Sequence, residues 1–149
     1  GASFGLVQLK KFKRFNKIRN LNFLSHFNFF KKLSDYFIIP EIQKNVSTNF
    51  LAYPVIIKKN FFFNKKSLQI YLENNGIQTR PIFSGNILRH PAFAYLAKSK
   101  KEVNEFIQSD YIMSNGILIG CHQGLNKTNI SYIHRIFNNF LKKNGIKLK

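Results

Sequence analysis

From residue 5 to residue 34 the chain contains no proline, and Leu6, Leu9, Phe12, Phe15, Ile18, Leu21, Leu24 and Phe27 recur at three-residue spacing. Apolar recurrence at that interval is a helical signal. A helix of about thirty residues is about 45 Å long, so the rest of the fold must be built against one long rod. The apolar positions are read as a single drifting face. Lys10, Lys11, Lys13, Arg14 and Lys17 fall mostly between them, so the expectation is an amphipathic helix with a basic solvent side. A helix lying on a membrane surface is the sharper alternative. Pro40 and the polar residues 43–49 end the segment in a loop.

Beyond that loop the signals alternate. Residues 50–58 are aromatic and β-branched and read as a strand, with Pro54 placing it at an edge or beside a bulge. Asn64 is positioned to cap a helix that Gly76 closes, with Leu68, Tyr71 and Leu72 on its inner face. Residues 78–83 read as a short strand interrupted by Pro81, and Ser99 with Glu102 has capping-box spacing for a helix over 100–109. Ile117, Leu118 and Ile119 between Gly116 and Gly120 form a short buried strand. A last helix starts near Asn126 or Thr128, carries Ile130, Ile133, Phe137, Phe140 and Leu141 as its stripe, and stops at Gly145. The expected order is one long helix followed by strand, helix, strand, helix, strand, helix.

A chain of 149 residues suits one domain, two at most, and the 17 Phe exclude an ordinary disordered tail. One Cys excludes a disulfide framework and any Cys-rich zinc site. No apolar run approaches the roughly 18 residues of a membrane span, and Gly1-Ala2-Ser3-Phe4 lacks the order of a signal peptide, so a soluble, cytoplasmic chain, whole or cut from a longer protein, is expected. The net charge of +18 would attract nucleic acid or anionic lipid. Lys outnumbers Arg 19 to 5, and Lys, Asn, Ile and Phe make up 72 of the 149 residues. These four types share A- and T-rich codons, and nucleic-acid contacts favour Arg. The charge is therefore read first as compositional drift, with functional basicity second.

Two stretches could carry chemistry. Residues 76–91 hold two of the five Arg, Arg80 and Arg89, around Ser84-Gly85-Asn86. A retained guanidinium fork in a Lys-rich chain suits carboxylate or phosphate, while Ser-Gly-Asn is also ordinary turn chemistry. Gly120-Cys121-His122-Gln123-Gly124 sets a thiol beside an imidazole. Strand neighbours face opposite ways, so Cys121 and His122 are not expected to pair. His26 and His134 sit within helical patterns and are read as structural or partly exposed. No metal-ligand spacing, Walker motif or dinucleotide glycine motif is present.

The residues Gly76-Ile77-x-Thr79-Arg80 and Phe83-x-Gly85-Asn86-x-x-Arg89-x-Pro91-Ala92-Phe93 resemble the C-terminal region of the DegT/StrS family of pyridoxal-phosphate sugar aminotransferase-like enzymes. The Gly-Asn-x-x-Arg-x-Pro form looks most like the family's 3-dehydratase branch, which acts on CDP- or GDP-linked 4-keto-6-deoxyhexoses for lipopolysaccharide. Residues 2–12 with Arg19, and Ile119-Gly120-x-His122-x-Gly124-Leu125, are similar to the flanking helix and closing strand. Phe50 stands where the family often has Trp.

The resemblance implies an α+β fold: the C-terminal small domain of a fold-type-I enzyme, with a connecting helix over 1–37 and a small, mostly antiparallel sheet with helices over 38–149. It implies that Arg80, Phe83, Ser84, Asn86, Arg89 and, more weakly, His122 contact a nucleotide-sugar. It implies pyridoxal or pyridoxamine phosphate in the full-length enzyme, held by an upstream half, and no cofactor, catalytic residue or turnover in this chain alone. A homodimer, or a partner chain supplying the missing half, follows from the same likeness; no specific nucleic acid and no membrane are expected. The alternatives are an aminotransferase fragment, a small basic RNA-binding α/β domain, and a non-catalytic dimerisation remnant.

Overall fold

The computed structural model describes residues 2–59 and 62–147; Gly1, where the signal-peptide reading begins, and the ends of the expected domain at Leu148 and Lys149 lie outside the described residues, as do Asn60 and Phe61. The long rod is α1, Ala2–Lys31. Its buried residues are Asn22, Phe23, His26 and Phe30, a stripe at three- and four-residue spacing. The expected apolar face is therefore wrong: Leu6, Leu9, Phe12, Leu21 and Leu24 are exposed. The reason is geometric. Three residues advance about 300° around a helix, so a strict three-residue repeat slips about 60° per step and winds around the rod. Residues 2–14 are exposed throughout and project beyond the core.

Two strands follow, β1 (Phe37–Ile38) and β2 (Ala52–Ile57), then α2 (Lys65–Asn74) and β3 (Thr79–Pro81). Two 3-10 turns (Ile87–Arg89 and Pro91–Leu96) lead to α3 (Lys100–Glu105) and α4 (Ile107–Asn115), which runs straight into β4 (Gly116–Gly120) before α5 (Lys127–Lys143). The sheet order is β1-β2-β4-β3, with every pair antiparallel. β1, only two residues long, is not among the expected strands. Pro54 led to the expectation of a strand at an edge or beside a bulge, whereas β2 lies inside the sheet. The exception is local: β1 reaches β2 only at Ile56 and Ile57, so Pro54 has no partner strand on that side.

Strand alternation divides the sheet. Tyr53, Val55, Ile57, Ile117 and Ile119 are buried beneath α1, α2 and α5. The α5 stripe joins them as expected, with Ile136 added. Phe30 links the layers: it stacks on Tyr53 at 5.2 Å and meets Phe137 edge-on at 5.1 Å. Burying such a ring stabilises by roughly 1.5–3 kcal/mol. On the other face the register sets Pro54, Leu118 and Arg80 side by side across β2, β4 and β3.

Caps fall where the side chains call for them. Asn64 with Ser67 and Asn126 with Asn129 form reciprocal caps on α2 and α5. The helix expected over 100–109 is instead broken at Phe106. Ser99 Oγ accepts from Glu102 N at 3.2 Å, but the Glu102 carboxylate turns to Lys98 N at 2.7 Å rather than closing a box. The break lets Asn104 and Asp110, on different helices, both meet Arg89.

Candidate functional site

A cleft of about 860 Å³ opens where β3 begins, β4 ends and α5 begins. Its walls are apolar: Ile77, Leu118, Ile119, Leu125 and Ile133. Its polar groups are few and convergent: Gln78, Arg80, His122, Asn129 and Tyr132. Apolar walls with a small set of placed polar groups are the usual form of a small-molecule site. Phe83 stands at the mouth, 91% exposed, an aromatic face with nothing over it among the described residues.

His122 sits on the loop 121–126 that links β4 to α5. Its Nδ1 accepts from Gly124 N at 3.1 Å, so the neutral ring carries its proton on Nε2. Glycines flank the ring: a Cβ on Gly124 would lie 3.0 Å from Nδ1, and one on Gly120 3.3 Å from Cδ2. The cleft is thus offered a guanidinium by Arg80, an imidazole N–H by His122 and an aromatic wall by Phe83.

The remaining expected residues go elsewhere. Ser84 is exposed, and its carbonyl accepts from His90 Nε2 at 2.8 Å. Asn86 is 2% exposed. Its Oδ1 caps the first 3-10 turn through Leu88 N at 3.1 Å, and its Nδ2 donates to Val103 O at 2.8 Å and Asp110 Oδ1 at 3.0 Å. Arg89 spends its fork on Asp110 at 2.5 and 2.6 Å and on Asn104 at 2.9 Å. The Arg89 hydrogen bond, helped by Asn86, holds the Asp110 carboxyl below the usual carboxylate range, and the same bond raises Arg89. Neither Asn86 nor Arg89 lines the cleft; together they tie the excursion that begins at Phe83 onto α3 and α4.

Cys121 and His122 do diverge. Cys121 is fully buried with its thiol pushed up to about 11 by burial, while His122 is exposed. The joint between His26 and His134 has no counterpart in the sequence expectations. His26 Nε2 lies 3.1 Å from Gly120 O, so it is the donor there, and its bare Nδ1 accepts from His134 Nε2 at 3.0 Å. His134 stacks on Phe29 at 4.1 Å. Burial lowers His26 to about 4 against the raising effect of the Gly120 bond; burial, with His26 beside it, lowers His134 to about 3. The available signal was the spacing of Arg19, Asn22 and His26, which shares one helical face.

A pyridoxal cofactor calls for a Schiff-base amine and an Asp or Arg partner for its ring nitrogen. The cleft lining holds Arg80 but no Lys, Asp or Glu. These residues do not by themselves fit the cofactor. Among the described residues no group of His, Cys, Asp and Glu could hold a metal ion, and no helix is long and apolar enough to cross a membrane.

Comparisons with known proteins place the chain. It is 27% identical over 143 residues to the lipopolysaccharide biosynthesis protein RfbH of Salmonella typhimurium, covering 96% of this chain and 32% of that protein. It is 29% identical over 126 residues to GDP-4-keto-6-deoxy-D-mannose 3-dehydratase of Escherichia coli O55:H7, covering 82% of this chain and 30% of the enzyme. The chain therefore spans about a third of the length of these relatives. The solved structure of the E. coli GDP-4-keto-6-deoxy-D-mannose 3-dehydratase with bound hydrated pyridoxal phosphate superposes with a TM-score of 0.67 at 27% identity, over 89% of this chain and 33% of that one. The fold, a long helix leading into a small antiparallel sheet with helices, matches that of pyridoxal-phosphate aminotransferase-like enzymes. With residues 1–138 matching its sequence profile, the chain belongs to the DegT/DnrJ/EryC1/StrS aminotransferase family.

Proposed function

We propose that this chain is the C-terminal, substrate-facing part of a pyridoxal- or pyridoxamine-phosphate-dependent 3-dehydratase acting on a GDP- or CDP-linked 4-keto-6-deoxyhexose for lipopolysaccharide. The observation that carries the reading is the cleft, which gathers Arg80, Phe83 and His122 in a chain similar to two sugar-pathway proteins. Arg80 binds a phosphate oxygen, since a planar guanidinium takes two oxygens at once. His122 Nε2–H donates to an oxygen of the sugar, Phe83 covers an apolar edge, and Ser84, next to Phe83 in the chain, offers its hydroxyl from the exposed loop. Asn86 and Arg89 contribute by holding this excursion in shape. The cofactor supplies the electron sink of the dehydration, and it is held by residues outside this cleft.

The same reading divides the chain into a connecting segment, 1–37, and a small domain, 38–149. It puts the protein in the cytoplasm, as a homodimer or with a partner chain. The exposed Phe4, Leu6, Leu9 and Phe12 of α1 support a covering partner, because large apolar side chains exposed along a projecting helix favour burial. The test is titration of the labelled chain with GDP, CDP and inorganic phosphate. Saturable shifts at Arg80 and His122 that are stronger for a nucleotide than for phosphate are expected, and shifts confined to surface lysines overturn the reading. Pyridoxal phosphate followed by borohydride should leave no single Lys of the isolated chain modified; one specific adduct would return the cofactor to this chain.

A further inference from the structure

The loop 121–125 between β4 and α5 has no helix or strand ladder of its own. Its closing backbone bond runs from Leu125 N to His122 O at 3.1 Å. Gly124 N also donates to His122 Nδ1 within it at 3.1 Å, and Cys121 Sγ reaches Phe50 O at 3.7 Å; its other bonds, and one to the strand end at Gly120, come from three side chains on one face of α1. Arg19 Nε donates to Gln123 Oε1 at 2.8 Å, and His26 Nε2 donates to Gly120 O at 3.1 Å. Between them Asn22, 7% exposed, aims its amide at three carbonyls: Leu125 O at 3.0 Å, His122 O at 3.1 Å and Cys121 O at 3.4 Å. A carboxamide has two donor protons, so it can gather converging carbonyls, and one proton is shared. Asp at this position would be an acceptor facing three acceptors.

We propose that Asn22 is the positioning residue of the candidate site: by gathering the carbonyls of residues 121, 122 and 125 it fixes the loop so that the His122 Nε2 proton points into the cleft, toward an oxygen of the ligand. Only the ligand's identity as a nucleotide-sugar rests on the function proposed above. The grip on the loop stands on its own geometry. Asn22 touches no reacting group and acts through His122.

The experiment measures amide hydrogen exchange and the His122 ring resonances of the whole chain, in the native protein and in Asn22→Ala, Asn22→Ser and Ile130→Val. Losing two to three net hydrogen bonds in Asn22→Ala should speed exchange at Gly124 and Leu125 by roughly 10- to 100-fold beyond any change at Phe137 on α5. The His122 ring signals should move toward free-histidine values. Asn22→Ser, which keeps one donor and guards against a variant that fails to fold, should fall between. Ile130→Val, a core truncation, should leave the His122 signals in place. Loop exchange and His122 signals that follow α5 in every variant would overturn the positioning role. A GDP titration separates the two ideas: no response in the native chain removes the nucleotide reading, while the exchange data still judge Asn22.

Discussion

Acid will destabilise this chain through a buried imidazole. His26 has no solvent exposure, and burial holds it at about 4 instead of 6.5. Its two nitrogens are committed, Nε2–H to Gly120 O and bare Nδ1 to the His134 proton. The unfolded chain takes up a proton near pH 6.5, whereas the folded chain resists until about pH 4. Between those values the unfolded state binds more protons, so stability present above pH 6.5 is lost as pH falls, with no further loss below the folded value. The full gap corresponds to about 3 kcal/mol, of which about 2 kcal/mol is lost by pH 5. In a domain of this size that lowers the melting temperature by about 4–8 °C. His134, lowered to about 3, acts in the same direction, with a smaller share because it is partly exposed to solvent that screens its charge.

The assay is urea denaturation at pH 8, 7, 6 and 5, comparing the native chain with His26→Gln. The Gln amide can donate to Gly120 O, and its oxygen can accept from His134. The native chain should lose about 2 kcal/mol more than the variant between pH 8 and pH 5. Curves that stay parallel within about 0.5 kcal/mol, the spread of an ordinary surface change, would refute the tautomer and burial argument together.

Three further outcomes follow from particular contacts. Gly85→Ala should destabilise by at least about 1–2 kcal/mol in the same urea assay, because φ is +69° there and a Cβ would lie 2.5 Å from Met113 Cβ. Arg89→Lys should lower the melting temperature by breaking the fork onto Asp110 and Asn104, while GDP affinity at the cleft stays as it was; weaker GDP binding at an unchanged melting temperature would return Arg89 to the ligand. Cys121, buried and pushed up to about 11, should resist Ellman's reagent until urea unfolds the chain, and prompt labelling in the native state would contradict its packing.

Local chemistry is legible in this sequence wherever it acts over a few residues. Asn64, Asn126 and Gly145 mark helix ends because capping is settled within one turn. The alternation in β2 and the run Ile117, Leu118, Ile119 mark strands because strand side chains alternate every second residue. The family is legible too, since residues 76–93 carry its pattern in a contiguous stretch. Tertiary structure alone decided which face of α1 is inside. A three-residue repeat is compatible with a helix but names no face, and packing against Tyr53 and Phe137 selected Phe23, His26 and Phe30. It also decided the site. Arg80, Phe83 and His122 line one cleft because β3 and β4 pair, whereas Asn86 and Arg89, closer to Phe83 in sequence, turn away to Asp110. A guanidinium takes whichever carboxylate the fold brings within reach, and Asp110 arrives from 21 residues further along the chain. The partners of Asn22 lie about a hundred residues away, a distance at which no spacing rule operates and only the folded core brings donor to acceptor.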